Sequence, residues 1–464
     1  MSRKQALLKR HRRNKRVALL ASLAVLVLAG VFLAWWVPIL LGMLGWMAHE
    51  AWFADHLFYS PRQDYQYRFP EGAARLDARW ENGTLSLGEP LPDTQWTVIA
   101  QVNVRSTWLG RFLDPVIEID ASADKQTFER GCAGLRYLNL SAHGRNLGEG
   151  VRLAGRYCRI SGTPKLWAFA QPDYREQRLM IIAPHADDAE LAAFGLYSQA
   201  REAWIVTLTA GEIEAEHYQA MGLGREEAAR LKGRLRAWDS VTVPRWGGVP
   251  EARCVQLGYF CLQLEAMRAA PREAVASREA GMADTRLFRQ FNPLALPGDD
   301  GRPCWDNLIA DLRALINLAR PDVIVLPHTG LDPHPDHIQS HHAVREALEG
   351  LEWQPSQFLG YANHLHDNDR WPMGSAHDGV ALPPAFDSEA IAWPVSLPVE
   401  AEARMNKAMA LGMMHDLQPP LPFKRRLRRT LQRMLAARRW AVEGENEFFR
   451  KAVRRHELFW RLDP

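Results

Sequence analysis

Two clusters of histidine and aspartate are the residues of this 464-residue chain whose types and spacing could do chemistry. Residues 185–188 read His-Ala-Asp-Asp and follow the apolar run 179–183, whereas residues 334–337 read His-Pro-Asp-His and follow the apolar run 323–327. Zinc binds imidazole nitrogen and carboxylate oxygen, and a catalytic zinc site uses three protein ligands and leaves one position open. One His and one Asp from the first cluster with one His from the second would complete such a set.

The segments around both clusters predict how they are positioned. Each apolar run is typical of a buried strand, and each cluster is followed by a helical pattern, at 191–196 and at 338–348. Further alternation of strand and helix patterns predicts an open, mostly parallel, Rossmann-like α/β sheet. Because such sheets bind ligands at the carboxyl ends of their strands, the two clusters are expected to meet there.

These motifs resemble those of the PIG-L/LmbE-like N-acetylglucosaminyl deacetylases. The first family motif, (Pro/Ala)-His-Pro-Asp-Asp-Glu, corresponds to residues 184–189, and the second, His-Pro-Asp-His, is intact at 334–337. Residues 208–212, Leu-Thr-Ala-Gly-Glu, are similar to the family's Thr-x-Gly-Glu, and residues 224–228 are similar to its Arg-x-x-Glu helix start. The resemblance spans roughly residues 177–420 and implies a metal-dependent amidohydrolase.

The resemblance also implies a role for each motif residue. The ligands of Zn²⁺, or of another divalent metal, would be His185, Asp188 and His337. Asp187 would act as the general base that takes a proton from water, and His334 would stabilise the oxyanion or protonate the departing amine. Asp336 would orient the ring of His334 and favour its charged form.

Two positions depart from the family pattern. Ala186 replaces a proline, which loosens the turn but removes no chemical group, and Ala189 replaces a glutamate. Glu190 points about 100° away from position 189 on a helix, so it is not expected to substitute. Three further histidines are near in sequence, and a direct role is the less favoured interpretation for them: His328, His341 and His342.

The amino-terminal segment has the composition of a membrane anchor. Residues 1–16 contain eight Lys and Arg and no acid, and residues 17–48 carry no charge. A helix of about 20 apolar residues spans a bilayer, and basic flanks stay in the cytoplasm. We therefore expect a cytoplasmic basic segment, an uncleaved single span over 17–48 in an inner membrane, and an extracytoplasmic (periplasmic) catalytic domain. A buried core helix is the alternative.

Two other segments differ from the catalytic part, which is predicted at 177–420. Residues 59–173 contain short apolar segments separated by turn residues, a pattern typical of a small β-rich domain, either a sandwich or a jelly roll. Its tryptophans could bind a glycan but are more often core residues. Residues 421–464 predict a basic amphipathic helical tail, which could contact anionic lipid or lipopolysaccharide phosphates, or could pack as a solvated helix on its own domain.

Composition and missing motifs narrow the functional classes to which the protein could belong. The net charge of +3 indicates no nucleic-acid partner. Cys132 with Cys158, or Cys254 with Cys261, could form disulfides outside the cytoplasm, although the sequence does not define the pairing. The sequence lacks the serine-hydrolase elbow and the phosphate loop. We therefore predict a membrane-anchored de-N-acetylase acting on amino sugars of an envelope glycolipid, lipopolysaccharide or glycan. The alternative is a non-catalytic envelope protein that binds a glycan through a deacetylase-like fold.

Overall fold

The computed structural model describes residues 3–89, 91–92, 95–120, 124–387 and 391–463. Along these residues the chain forms an amino-terminal helical segment, then two antiparallel sheets, then a larger mixed sheet covered by helices. The predicted mixed α/β class with an apolar amino-terminal helix is confirmed.

The amino-terminal segment consists of two helices, α1 (Arg3–Phe32) and α2 (Val37–Ala48), followed by a π-helical turn at His49–Phe53. Residues Leu7–Phe32 are long and apolar enough to cross a membrane. The structure differs from the predicted single span over 17–48, because the chain turns between the two helices. Pro38 lies in the first turn of α2; it has no backbone N–H to donate to a preceding helical turn, which favours the break.

The β-rich part has two sheets, with strand orders β1-β9-β4-β7 and β2-β3-β8-β5-β6. Its strands are β1 (Ala74–Leu76), β2 (Ala78–Glu81), β3 (Thr84–Leu87), β4 (Gln95–Ser106), β5 (Val116–Ile119), β6 (Asp124–Thr127), β7 (Ala133–Asn139), β8 (Val151–Arg156) and β9 (Cys158–Gln171). Val102 and Leu166 from the first sheet share one buried apolar core with Ile117 and Leu153 from the second. Alternate residues of β4, namely Val98, Ala100, Val102 and Val104, thus point into the space between the sheets.

The larger sheet has the strand order β12-β11-β10-β13-β14-β16-β15. Its strands are β10 (Arg178–Ala183), β11 (Glu202–Thr209), β12 (Cys254–Tyr259), β13 (Val323–Pro327), β14 (Gln357–Tyr361), β15 (Pro394–Pro398) and β16 (His456–Leu462). The first five strands in this order pair in parallel, and β16 pairs antiparallel with both β14 and β15. Ile181 points into one apolar core and Ile182 into another, so the central strand is buried on both faces.

Helices cover both faces of this sheet. The helices that follow β10 in the chain are α3 (Asp188–Tyr197), α4 (Glu216–Gln219), α5 (Arg225–Thr242), α6 (Leu264–Ala269), α7 (Arg286–Arg289), α8 (Trp305–Ala319), α9 (Pro335–Leu348), α10 (Ala401–Met413), α11 (Phe423–Ala436) and α12 (Glu447–Ala452). The side chains of α3 and α10 contribute to the core that contains Ile181, and those of α8 and α9 contribute to the core that contains Ile182.

The carboxyl-terminal segment differs from the predicted helical tail. Helix α11 covers the arginine-rich stretch, but the last residues form β16, which lies inside the large sheet. Phe459 and Trp460 are buried there, and aromatic residues favour a pleated, half-buried surface. The helical prediction followed the arginines and overlooked this short aromatic strand.

The structure shows where the cysteines and tryptophans considered in the sequence analysis lie. All five cysteines are buried free thiols, so neither disulfide considered from the sequence forms. Trp80 and Trp96 pack against the core of the β-rich part, whereas the side chain of Trp108 is 69% exposed.

Candidate active site

The two motifs meet at the carboxyl edge of the large sheet. Strands β10 and β13 are parallel neighbours, with Leu179 opposite Val323. The first motif follows the end of β10 and leads into α3, and the second lies between the end of β13 and the start of α9. Since parallel strands end at the same edge, their following loops bring the His and Asp side chains together, as the sequence predicts.

Asp188 is the central carboxylate of this cluster. Its Oδ2 accepts from the backbone N–H of His185 at 3.0 Å and lies 3.2 Å from His185 Nδ1 and 3.1 Å from His337 Nε2. Its Oδ1 accepts from Asn363 Nδ2 at 2.8 Å. One buried carboxylate therefore contacts an imidazole from each motif, and the three residues named as ligands from the sequence lie together.

His337 is held by a second carboxylate that sequence reasoning missed. Asp332 Oδ2 lies 2.9 Å from His337 Nδ1 and also accepts from the backbone N–H groups of Asn363 and His364. Burial opposes the charged form of His337, but Asp188 and Asp332 raise its pKa to about 10. A carboxylate just before a His-rich motif is the signal that could have identified Asp332, because ligating imidazoles commonly donate their other N–H to such a group.

The structure assigns Asp336 a different partner from the predicted one. Its Oδ2 lies 3.1 Å from His185 Nε2 and accepts from the backbone N–H of Leu262 at 2.8 Å. His334 is the N-cap of α9 and has extended backbone, so its ring leaves the helix start in a different direction from the Asp336 side chain. The carboxylate of Asp336 contacts His185 here, and the orienting role predicted for it toward His334 stays a prediction.

His334 lies at the rim of the cluster. Its ring is edge-on to that of His185, with centroids 4.9 Å apart, and its Nδ1 is buried without a hydrogen-bond partner among the described residues. Burial, together with the rings of His185 and His337, lowers the pKa of His334 to about 3. These surroundings favour the neutral form of the ring, whereas the sequence predicted the charged form.

Asp187 is paired with an arginine that has no signal in the sequence motifs. Arg236, on α5, donates from Nη2 to Asp187 Oδ1 at 3.0 Å and also pairs with Asp416. Gly211 leaves room for this arginine, because a Cβ atom there would lie 2.4 Å from Arg236 Nε and the backbone φ of +60° favours glycine. The Thr-x-Gly-Glu segment thus leaves the space through which Arg236 reaches the carboxylate of Asp187.

Cys261 adds a sulfur atom to the cluster. It follows β12, and its Sγ lies 3.5 Å from His185 Nε2. Its backbone N–H donates to Glu212, the last residue of the Thr-x-Gly-Glu segment, at 3.1 Å. The sequence suggested Cys261 only as a disulfide partner, because its approach to His185 depends on the packing of β12 beside β11.

The donor atoms fit a divalent transition metal. Among the described residues, two groups bring their donor atoms within 4.8 Å of one another: His185, His334 and His337, and His185, Cys261 and Asp336. Asp188 belongs to neither group, but its Oδ2 lies within 3.2 Å of a nitrogen of both His185 and His337. Asp336 Oδ1, like His334 Nδ1, is buried without a hydrogen-bond partner among the described residues. Buried polar atoms normally have partners, and imidazole, carboxylate and thiolate are the ligands that zinc takes.

The remaining residues considered from the sequence lie away from this cluster. Glu190 turns toward Tyr197, whose hydroxyl donates to Oε1 at 2.9 Å, and Ala189 lies in the apolar core. His341 Nδ1 contacts the carbonyl oxygen of Pro327 at 3.0 Å, and the ring of His328 packs edge-on against Trp460. His364, which the sequence did not indicate, instead stacks beside His334 with ring centroids 5.8 Å apart.

The fold and this cluster define a mixed α/β protein with a metal-competent His/Asp site at the carboxyl edge of its sheet. Residues 180–348 match the family model PIG-L, described as GlcNAc-PI de-N-acetylase. Residues 180–348 therefore form a PIG-L family domain, and over these residues the resemblance noted in the sequence is confirmed.

Two relatives carry the same printed name, 1D-myo-inositol 2-acetamido-2-deoxy-alpha-D-glucopyranoside deacetylase. The protein from Mycobacteroides abscessus is 26% identical over 245 residues, which cover 49% of this chain and 78% of the relative. The protein from Corynebacterium urealyticum is 38% identical over 76 residues, which cover 16% of this chain and 22% of the relative.

Solved structures give more distant matches. The zinc-inhibited form of teicoplanin deacetylase Orf2 matches with 17% identity and a TM-score of 0.31, covering 61% of this chain and 97% of that one. GalB, the 4-carboxy-2-hydroxymuconate hydratase from Pseudomonas putida KT2440, matches with 14% identity and a TM-score of 0.32, covering 56% and 84%.

Proposed function

We propose that this protein is a metal-dependent de-N-acetylase of amino sugars. The observation that carries the proposal is the position of Asp188, whose Oδ2 lies within 3.2 Å of an imidazole from each motif inside a PIG-L domain. The names of the family model and of both relatives describe deacetylation of an N-acetylated sugar, which supports the same reaction here. The strand order of the large sheet supports the Rossmann-like description of the domain.

We propose His185, Asp188 and His337 as the metal ligands, with zinc as the ion that their chemistry favours. Asp332 would keep His337 in the orientation that presents Nε2 to the ion. When bound, the ion would supply a Lewis acid that polarises the acetamide carbonyl and makes water more acidic.

The protein side chains would then move the protons. Asp187 would accept a proton from the attacking water, and this proton would go to the nitrogen of the departing amine as the C–N bond breaks. The ion pair with Arg236 would keep the carboxylate in place. His334, neutral and at the rim, would donate a hydrogen bond to the oxygen on which negative charge develops. Asp336 would fix His185 rather than His334, because its Oδ2 lies against His185 Nε2.

The substrate that we propose is an N-acetylated amino sugar of an envelope glycolipid, lipopolysaccharide or related glycan held at a membrane. The apolar helix Leu7–Phe32 supports membrane attachment, which would bring the site close to a lipid-linked sugar. We also propose the domain division expected from the sequence, with the β-rich part before the catalytic part and β16 assigned to the catalytic sheet. Removal of the acetyl group would expose an amine and add a positive charge to the glycan.

The test is acetate release from glycolipids that contain N-acetylglucosamine, measured with the purified full chain. We expect release that disappears on chelation and returns with zinc. Asp187→Asn should keep its metal content and lose about 10²–10⁴-fold in turnover, because general-base catalysis contributes that much. Asp306→Asn, an exposed aspartate on α8, serves as the matched control and should keep full activity.

Three results would contradict parts of the proposal. Full activity of Asp187→Asn would exclude it as the base. A zinc-loaded protein without acetate release would indicate a different amide substrate. A protein that neither holds metal nor releases acetate, yet binds the glycan, would support the non-catalytic alternative.

A further inference from the structure

The two amino-terminal helices expose an apolar surface that needs a partner. Large side chains along both helices face outward, with exposed fractions of 62% for Val17, 77% for Phe32, 77% for Trp35 and 52% for Met43. A contiguous exposed apolar surface of this kind marks an interaction site. Because no charged residue occurs between 17 and 48, the acyl chains of a bilayer are the partner that fits.

The second helix returns along the first. A Cβ atom on Gly30 would lie 3.4 Å from Pro38 Cγ, and a Cβ atom on Gly42 would lie 3.7 Å from Leu26 Cδ1. Pairs whose numbers rise on one helix and fall on the other describe an antiparallel hairpin. We call α1, α2 and the turn between them the hairpin.

The residues that follow α2 lie beside the basic amino-terminal part of α1. The ring of His56 lies edge-on to that of His11, with centroids 5.1 Å apart, and the ring of Phe58 lies 6.0 Å from His11. Residues 11 and 56, which flank the charge-free part of the hairpin, therefore lie at the same end of it.

The dimensions suit a hairpin that stays within one bilayer. The charge-free part of α1, residues 17–32, is about 24 Å long, and α2 is about 18 Å long. The hydrocarbon core of a bilayer is about 30 Å thick. Residues 33–36, Leu-Ala-Trp-Trp, form the tip and contain no charge that would hold it in water on the far side.

Basic residues surround the base of the hairpin. Exposed positive side chains on α1 are Lys9, Arg10, Arg12, Arg13, Lys15 and Arg16. Helix α11 is fixed beside the same end, because Arg428 pairs with Glu50 and Gln432 Nε2 donates to the Glu50 carbonyl oxygen at 3.2 Å. That helix adds exposed Lys424, Arg425, Arg426 and Arg433 to the same end, and clustered positive charge of this kind suits anionic lipid head groups.

We infer that the hairpin anchors the protein to an anionic leaflet from one side, so that the catalytic domain lies on the same side of the membrane as the basic amino terminus. Basic flanks stay in the cytoplasm, so that side is the cytoplasmic one. The five buried free thiols suit a reducing compartment. This replaces the periplasmic location expected from a single span, and it directs the search for a substrate to lipid-linked sugars facing the cytoplasm.

Cysteine accessibility in spheroplasts of a bacterial host tests the inference, using the full chain and a membrane-impermeant maleimide. The variants are Arg12→Cys at the basic base of the hairpin, Trp35→Cys at its tip and Val442→Cys on the catalytic side, where Val442 is 95% exposed. The unsubstituted chain is the control, because its own thiols are buried. The measurement does not involve acetate release, so its result is independent of whether the proposed reaction is correct.

We expect Arg12→Cys and Val442→Cys to react only after permeabilisation, and Trp35→Cys to remain protected in both states. Reaction of Val442→Cys in intact spheroplasts while Arg12→Cys stays protected would show a single crossing and overturn the inference. Reaction of both in intact spheroplasts would overturn the cytoplasmic side. Reaction of Trp35→Cys in intact spheroplasts would overturn an anchor that stays within the bilayer.

Discussion

Glu190 is a buried carboxyl group beside the site, and its environment makes a pH-dependent prediction. Burial raises the pKa of Glu190 to about 8, whereas the residue would titrate near its ordinary value of 4.5 in the unfolded chain. Between these values the unfolded state loses the proton and the folded state keeps it, so stability falls as pH rises. Glu190→Gln should remove this contribution, so its Tm should match that of the unsubstituted protein near pH 5 and exceed it near pH 8.5.

Thermal unfolding across this pH range is the measurement for Glu190. Glu265→Gln, an exposed glutamate on α6, is the matched control and should follow the unsubstituted protein at every pH. If the Tm of Glu190→Gln also follows that of the unsubstituted protein at every pH, the buried carboxyl group does not govern the pH dependence of stability.

Asp332 makes a second prediction at the scale of single residues. Its Oδ2 lies 2.9 Å from His337 Nδ1, so Asp332→Asn should weaken the fixed orientation and basicity of that imidazole. Loss of such a partner commonly costs about 10–100-fold in metal affinity. Competition with a chelator measures the zinc affinity. Asp322→Asn is the control: Asp322 pairs with Arg178 at the other end of β10, so this substitution should leave the zinc affinity unchanged. Equal zinc affinities of the two variants would exclude a role for Asp332 in metal binding.

At the scale of elements, a buried ion pair joins α10 to β16. Lys407 Nζ donates to Glu457 Oε1 at 2.8 Å, and Glu457 also accepts from the backbone N–H groups of Gly195 and Leu196 on α3. Lys407→Met leaves an unpaired buried carboxylate, which should lower the free energy of unfolding by about 3–5 kcal/mol. Denaturant unfolding measures this loss.

The double variant separates charge from packing at this junction. Lys407→Met with Glu457→Gln should be more stable than Lys407→Met alone, because the neutral amide oxygen still accepts from α3 while the unpaired charge is gone. Lys165→Met, on the exposed surface of β9, should change stability by less than about 0.5 kcal/mol. Equal losses for the single and double variants would mean that the ion pair does not set the stability of the junction.

At the scale of the whole molecule, membrane attachment should have an apolar and an electrostatic part. The full chain should remain on vesicles of anionic phospholipid at high salt, because the hairpin is held by burial of apolar surface. A form consisting of residues 49–464 retains Glu50 and α11, so it should bind the same vesicles at low salt and be released at high salt. Vesicle sedimentation measures both. Release of the full chain by salt alone would contradict insertion of the hairpin.

The meeting of the two motifs after β10 and β13, and the mixed α/β class, could be predicted from local patterns in the sequence. Parallel strands must end at one edge of a sheet, so the histidines and aspartates after two such strands were predictable as neighbours. The family resemblance could also be seen in the sequence, because the family motifs are short and continuous. The charge-free segment at the amino terminus was equally plain from composition.

Which of these groups are in contact could be seen only in the folded chain. Arg236 reaches Asp187 from α5, Cys261 reaches His185 from the loop after β12, and Asp336 turns to His185 instead of His334. These contacts depend on the packing of helices and loops far apart in the chain, which no local pattern of residue types records. The return of α2 along α1 is of the same kind, because hydropathy measures how apolar a segment is and not the direction in which it runs.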